Sequence, residues 1–268
     1  MQQSTGESFM DQWALVTGAS GGIGLEIARE LAAAGYALVL SARSDDKLQT
    51  LAEALRVQHG TRCLCMALDL GAPDGPETLQ RRLAEAGVEP TVLVNNAGFG
   101  VYGRFAEADV AQTQGMIDLN ISALTRLTAL LLPAMLRQGR GRILNVASTA
   151  AFQPGPGMAV YFASKAYVLS LSEALDAELR WRGISVTVLC PGATQTGFGA
   201  RALGKQRSAL FHGRMATARD VARYGVLAME RGQRVAVHGL FNRMLAASVR
   251  FTPRPVVTAL AGWMMREV

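Results

Sequence analysis

"ALVTGASGGIG", residues Ala14–Gly24, carries the reading of the fold. A short apolar run ends in a threonine, turns through glycines and opens a stretch of helical period, so it reads as strand, tight turn and helix start. Gly18, Gly22 and Gly24 let the backbone turn sharply, approach a pyrophosphate and pack helix against sheet. Free N–H groups at the helix start suit a negatively charged oxygen. Gly18 and the next glycine in the chain, Gly21, stand one residue further apart than the first two glycines of G-x-G-x-x-G. The same residues also satisfy G-x-S-x-G through Gly18, Ser20 and Gly22, the elbow that presents a nucleophilic serine, with His238 in a conceivable place for a partner. Against a serine hydrolase, that elbow normally follows several strands, and an HGGG-type donor loop is missing.

Working outward, "WALVTG", "ALVLSAR", "CLCMALDL", "TVLVNNAG", "RILNVAS", "ISVTVLCPG" and "RVAVHG" read as strands, each brief and rich in β-formers. Helical periods fill the spaces between them: 24–34, 45–59, 77–86, 110–138, 161–182 and 217–231. This alternation predicts an α/β fold, a single Rossmann-type, doubly wound parallel sheet of about seven strands with helices on both faces. Ligands in such sheets sit at the carboxyl ends of the strands. One domain over 11–238 is expected, after a flexible N-terminus at 1–10. The tail at 239–268 reads as one or two helices appended to the same domain, interrupted by "TPRP".

Composition narrows the partners. Half of the 268 residues are hydrophobic and 28 are glycine, which suits a large core with tight turns. The net charge of +6 comes from scattered arginines without a dense basic run, so no nucleic acid is expected. Cys63, Cys65 and Cys190 lack metal-site spacing, so no metal is expected, and reduced thiols suit a cytoplasmic protein. The first residues do not read as a secretion signal, and no uninterrupted apolar run is long enough to predict a transmembrane span.

The strand ends hold the chemistry. After the second strand, Arg43 stands where a carboxylate would hold the free ribose 2'-hydroxyl of NAD, and it can grip a 2'-phosphate instead, so NADP(H) is expected over NAD(H). Otherwise Arg43 is a solvated loop residue, with Ser44 capping the next helix and Asp45 and Asp46 in its first turn. Tyr161 and Lys165, four apart, share a helix face. A cation about 4 Å from the phenol is worth roughly 4 kcal/mol and could lower its pKa by up to about three, suiting proton transfer to a carbonyl or alcohol. Ser148 can donate to the same substrate oxygen. Asn120 stands mid-helix, where an asparagine needs a reason.

"TGASGGIG", Asp69, "NNAG" (Asn95–Gly98), Asn120, Ser148, "YFASK" and "PGATQT" together resemble the short-chain dehydrogenase/reductase family, in order and spacing, over about residues 11–238. The resemblance implies hydride transfer between NAD(P)(H) and a carbonyl or alcohol carbon. It makes Tyr161 the general acid in reduction. Lys165 would lower its pKa and hold the nicotinamide ribose, Ser148 would polarise the carbonyl, and Asn120 would anchor a proton-relaying water. Gly18, Ser20, Gly22, Ile23 and Gly24 would bind pyrophosphate, Asp69 the adenine edge, Asn96 the adenosine side and Thr196 the carboxamide. Leu70, Ala97, Gly98, Pro191, Gly192 and Thr194 would complete the cofactor site.

Phe99, Val101, Tyr102, Phe152, Met158 and Phe198 follow strand ends and would wall an apolar substrate pocket, favouring a ketone, aldehyde or 3-oxoacyl compound. They could equally complete the core. Arg201, Lys205 and Arg207 could meet an anionic carrier such as coenzyme A, or stand in solvent. The tail interleaves Arg243, Arg250, Arg254 and Arg266 with large apolar residues, which fits packing on the domain, a lid, an oligomer contact or weak membrane-surface contact. The expected partners are a small carbonyl or alcohol substrate and further copies of the chain, as homodimer or homotetramer. A dinucleotide-binding regulatory or scaffold protein is the non-catalytic alternative.

Overall fold

The structure, a computed structural model, describes residues 12–203 and 215–265; the expected flexible N-terminus, Lys205, Arg207 and Arg266 lie outside the described residues, as does the side chain of Arg201. Each apolar run forms a strand: β1 Trp13–Thr17, β2 Ala37–Ala42, β3 Cys63–Ala67, β4 Val92–Asn95, β5 Gly141–Val146 and β6 Ile184–Cys190. Two short strands, β7 Thr194–Gln195 and β8 Ala216–Thr217, pair with each other, and β9 Val235–Val237 completes the main sheet. The order is β3-β2-β1-β4-β5-β6-β9, and every pairing is parallel. The chain reverses its winding between β1 and β4, so the crevice outside their carboxyl ends is the expected ligand site.

The helices are α1 Gly22–Ala33, α2 Asp45–His59, α3 Gly75–Glu85, α4 Val110–Ile117, α5 Leu124–Gln138, α6 Ala159–Leu179, α7 Gly197–Leu203, α8 Ala218–Glu230, α9 Leu240–Ser248 and α10 Arg254–Met264. α1 and α3 begin two residues earlier than their hydrophobic periods suggest, because Gly22 and the Gly75–Pro76 pair are good helix openers that carry no periodic signal. Ser44 stands at the N-cap of α2, as expected, but its hydroxyl makes no capping bond. Alternate residues of each strand face opposite layers. Val16, Leu38, Leu40 and Val94 pack under α1, α2 and α8, and Leu15, Val39, Leu93 and Ile143 pack under α3, α5 and the end of α6. Cys63 and Cys65 share the first of these layers.

Residues Val110–Gln138 form one helical run of 29 residues, an 18-residue stretch of which has mean hydropathy 1.5, long and apolar enough to cross a membrane by length and composition. Its apolar row Leu124, Leu127, Leu131 and Met135 is buried inside the protein, as on an amphipathic helix that covers a core with one face. The run is not uniform. Residues Asp118–Ala123 form a π-helical turn between α4 and α5, with Asn120 inside it. Such turns are frequent at functional sites, and here the wider turn gives the mid-helix asparagine its reason. The tail forms two helices, α9 and α10, as expected.

Candidate active site

The glycine loop is built from the residues around it. Gly18 and Gly22 take left-handed backbone angles, φ +66° and +58°. A side chain at Gly24 would place its Cβ 2.4 Å from the Gly18 carbonyl oxygen, so loop and helix touch through bare backbone. Thr17, at the end of β1, locks the loop to β4. Its hydroxyl donates to the Val94 carbonyl (3.1 Å) and accepts from the backbone N–H of Asn96 (3.0 Å) and Ala97 (3.1 Å). The Asn96 amide returns the favour by donating to the carbonyls of Thr17 (2.9 Å) and Gly18 (3.2 Å). Asn96 therefore spends its N–H groups on shaping the loop. At the mouth of α1 the N-cap is Gly21, without a side-chain cap bond, without an acidic residue in the first turn, and with open space beside its Cα. Uncapped N–H groups facing open space fit a diphosphate.

The other cofactor candidates lie along the same crevice. Asp69 accepts from the Gly71 N–H (2.9 Å) and stands exposed, while the Leu70 side chain is buried in the core, leaving its backbone for any ligand contact. Arg43 is exposed at the end of β2 and forms no ion pair among the described residues. Gly98 must be a glycine, because a Cβ there would meet Asn120 Oδ1 at 2.9 Å and Lys165 Nζ at 3.6 Å. Beyond β6, Pro191 is buried, Gly192 leaves room for the Asn242 side chain, and Thr194 donates to the Gly192 carbonyl (2.9 Å). Thr196 accepts from the Phe198 N–H (3.2 Å) and comes within 3.4 Å of a Cβ placed at Gly22, so this segment folds onto the glycine loop. Ser20 and Ile23 occupy the turn and first helical residues, half-buried.

Asn120, Ser148, Tyr161 and Lys165 converge beside that crevice. Asn120 is buried. Its Oδ1 accepts from the Phe99 N–H (3.1 Å), and its amide donates to the Phe99 carbonyl (2.9 Å) and to Ser164 Oγ (3.1 Å). Ser148 follows β5 in extended backbone, accepts from the Ala150 N–H (3.1 Å), donates to the Pro191 carbonyl (3.4 Å) and stands close enough to the Tyr161 phenol to lower its pKa. Burial pushes the phenol up to about 12, and the Ser148 hydroxyl pulls the other way. Burial draws the Lys165 ammonium down to about 8, opposed by the neighbouring Cys190.

Here one expectation is corrected. Lys165 shares a face with Tyr161, but its Nζ donates to the Val146 carbonyl (2.8 Å) and stands 5.8 Å from the phenol ring centre. The pair is together, yet desolvation outweighs the expected attraction, so the phenol is less acidic than in water.

Around Tyr161 an apolar wall forms from Phe99, Val101, Tyr102, Met158 and Phe198. Phe198 tilts over the Tyr161 ring at 5.2 Å, and bare Gly100 lets Met158, Phe198 and Tyr161 meet. Phe152 does not join them. It packs against a separate cluster that contains Ala147, Val188 and Val237. The hydrolase reading loses its geometry: β1 and β9 are separated by three strands, roughly 19 Å at the usual strand spacing, so His238 does not reach Ser20. His238 instead stands edge-on to Tyr224, 5.4 Å between centroids.

Several residues that shape the site escape motif reading. Thr17 is one. Asn145 accepts from Asn95 (2.9 Å) and donates to Ser172 (2.9 Å), while Asn95 also donates to Thr128 (3.0 Å), a buried polar chain that ties β4 and β5 to α5 and α6. In sequence each is a lone asparagine in an apolar strand, the last residue of "TVLVN" and the next to last of "RILNV".

The family description "short chain dehydrogenase" matches residues 12–206. The chain belongs to the short-chain dehydrogenase/reductase family. Within that family it is 36% identical over 189 residues to the very-long-chain 3-oxoacyl-CoA reductase-B of Danio rerio, covering 69% of this chain and 60% of that protein. It is also 36% identical over 189 residues to the 17-beta-hydroxysteroid dehydrogenase type 3 of Mus musculus, covering 70% and 61%. The chain thus spans about three fifths of these curated relatives. Among solved structures, a short-chain dehydrogenase from Sphingobium yanoikuyae in complex with NADPH superposes with a TM-score of 0.80 at 32% identity, covering 90% of this chain and 94% of that one.

Proposed function

We propose that this short-chain dehydrogenase/reductase is an NADP(H)-dependent oxidoreductase that interconverts a carbonyl and an alcohol on an apolar substrate. The observation that carries the reading is that Ser148 and the buried Tyr161 stand together, with Lys165 one helical turn along and anchored on the Val146 carbonyl, beside an uncapped glycine loop. Bound along that loop, NADPH supplies the hydride. The first turn of α1, Arg43, Asp69 and Lys165 would hold it, Arg43 through the 2'-phosphate. The chain's own part is the proton. Tyr161 donates to the substrate oxygen, Ser148 donates a second hydrogen bond that orients it, and Lys165 stabilises the phenolate left behind. Asn120 fixes the Phe99 backbone and, through Ser164, the start of α6 that carries Tyr161 and Lys165.

The wall of Phe99, Val101, Tyr102, Met158 and Phe198 suits a lipid-like ketone, aldehyde or 3-oxoacyl compound, and the names of the fish and mouse relatives point the same way. Free cysteines suit the cytoplasm, and we expect a homodimer or homotetramer. Fluorescence titration with NADPH and NADH, followed by turnover on aldehydes, ketones, steroids and 3-oxoacyl thioesters, tests the reading. Tyr161→Phe should keep NADPH affinity and lose turnover by on the order of a hundredfold or more. Tight NADPH binding without oxidation of NADPH by any of these compounds would instead identify a dinucleotide-binding regulatory or scaffold protein. Equal affinity for NADH would remove the role given to Arg43.

A further inference from the structure

The tail has two apolar sides. On α10, Val257 and Ala261 are buried, and Met265 just beyond it joins the cluster around Tyr161. Tyr102 clamps this end by donating to the Met265 carbonyl (2.5 Å), and bare Gly262 packs on Pro156. The neighbouring stripe of the same helix, Val256, Leu260 and Trp263 at i, i+4 and i+7, lies open, with Trp263 65% exposed. α9 repeats the pattern. Ala246 is buried, while Leu240, Phe241 and Met244 are exposed, and Phe251 in the connection is 88% exposed. A helix that is apolar on both sides needs a cover for the second.

Charge selects the cover. Between Gly232 and Met265 the chain has four arginines and no aspartate or glutamate. Arg234 is held by Asp176, and Arg243 reaches the Val237 carbonyl and Tyr224. Arg250 and Arg254, flanking Phe251, are exposed and pair with no acid among the described residues. A second copy placed on this face by two-fold symmetry would bring the same arginines against one another, with no carboxylate in the patch to answer them. An anionic lipid surface answers both features. Its headgroups neutralise Arg250 and Arg254, and its interfacial zone receives Trp263, Leu260, Phe251, Phe241 and Met244.

From this we infer that the outer face of α9 and α10 docks the protein on anionic membranes. The inference stands apart from the catalytic reading, since its surface contains none of the proposed site residues. Co-sedimentation of the full chain with vesicles of phosphatidylcholine alone or of phosphatidylcholine with phosphatidylserine tests it. Binding should require the anionic lipid and weaken as salt is raised. Arg250→Ala with Arg254→Ala should reduce partition by roughly thirtyfold, at about fivefold per arginine, and Arg250→Lys with Arg254→Lys should restore it. Leu260→Ser with Trp263→Ser should abolish binding while the melting temperature and NADPH affinity stay at wild-type values.

Three results would overturn the inference. The first is no partition of the wild type into phosphatidylserine vesicles at low salt, and the second is partition that survives the Leu260 and Trp263 changes. The third is a fall in solution mass on those changes with vesicle binding intact, which would give the face to a second copy.

Discussion

Replacing Thr17 with valine tests how the glycine loop is held. Valine keeps the shape of the buried threonine and deletes its hydroxyl, which makes three bonds: to the Val94 carbonyl (3.1 Å), the Asn96 N–H (3.0 Å) and the Ala97 N–H (3.1 Å). The Val94 carbonyl is buried and the other two groups are partly so; at about 1 kcal/mol for each group left wanting, the loss is roughly 3 kcal/mol. A domain with 5–15 kcal/mol in hand, the usual range, survives that. Binding should suffer as well, because Asn96 in turn holds the carbonyls of Thr17 and Gly18. We expect NADPH affinity to fall on the order of tenfold. Thr17→Ser keeps the hydroxyl and loses one methyl, about 1 kcal/mol, and should bind NADPH like the wild type. Urea unfolding and fluorescence titration read the two effects. If Thr17→Val unfolds within about 0.5 kcal/mol of the wild type, or if Thr17→Ser loses NADPH affinity as severely, the hydroxyl is not what fixes the loop.

Gly24→Ala would set a methyl 2.4 Å from the Gly18 carbonyl oxygen and should cost about 3 kcal/mol, whereas Gly21→Ala meets nothing within 4 Å and should melt like the wild type while weakening NADPH binding. Thermal melts and titration separate the two glycines. Lys165, drawn from 10.5 to about 8 by burial, binds fewer protons folded than unfolded between those values, so its contribution to stability rises with pH there. The difference in unfolding free energy between the wild type and Lys165→Met should move in favour of the wild type by about 1 kcal/mol from pH 8 to pH 9, and a flat difference would contradict the burial of an ammonium. Asp176 has a buried carboxylate. Burial raises its pKa, but Arg234, the Val186 N–H and Arg180 together hold it below the usual range. Asp176→Asn should therefore cost about 3 kcal/mol at neutral pH, by urea unfolding, with the gap to the wild type closing as acid protonates the wild-type carboxylate.

The layer order and most element boundaries were legible because parallel strands buried on both faces leave an unmistakable trace, short continuous apolar runs separated by helical periods. What could not be read was polar structure inside that trace. Asn145 looks like the end of a strand until the register places it beside Asn95, and Ser164 and Ser172 look like ordinary polar positions on α6 until their partners are known. The π turn at Asp118–Ala123 has no compositional mark, since an extra backbone residue per turn changes which side chains face the sheet without changing which residues are present. Phe152 illustrates the converse. It follows Ser148 closely enough in sequence to join the pocket wall, but it packs against the cluster that holds Ala151, Val168 and Val188, not the one that holds Tyr161.

The spacing of Tyr161 and Lys165 did fix that they share a face, and it misjudged what sharing a face does. A pairwise attraction presumes that both groups keep their hydration. In this fold both are buried, and desolvation drives each toward its neutral form, Tyr161 to about 12 and Lys165 to about 8. The resting phenol therefore holds its proton throughout the neutral range, which is the state a reduction needs, since the substrate oxygen must receive a proton. Forming the phenolate requires compensation at the moment of transfer. Ser148 already lowers the phenol's pKa, and Lys165, anchored by the Val146 carbonyl, stands 5.8 Å from the ring and still largely charged below pH 8. In the proposed reduction this arrangement would keep the acid loaded and place the stabilising charge where proton loss creates the anion, so the lysine would act on the product of the transfer more than on the resting state.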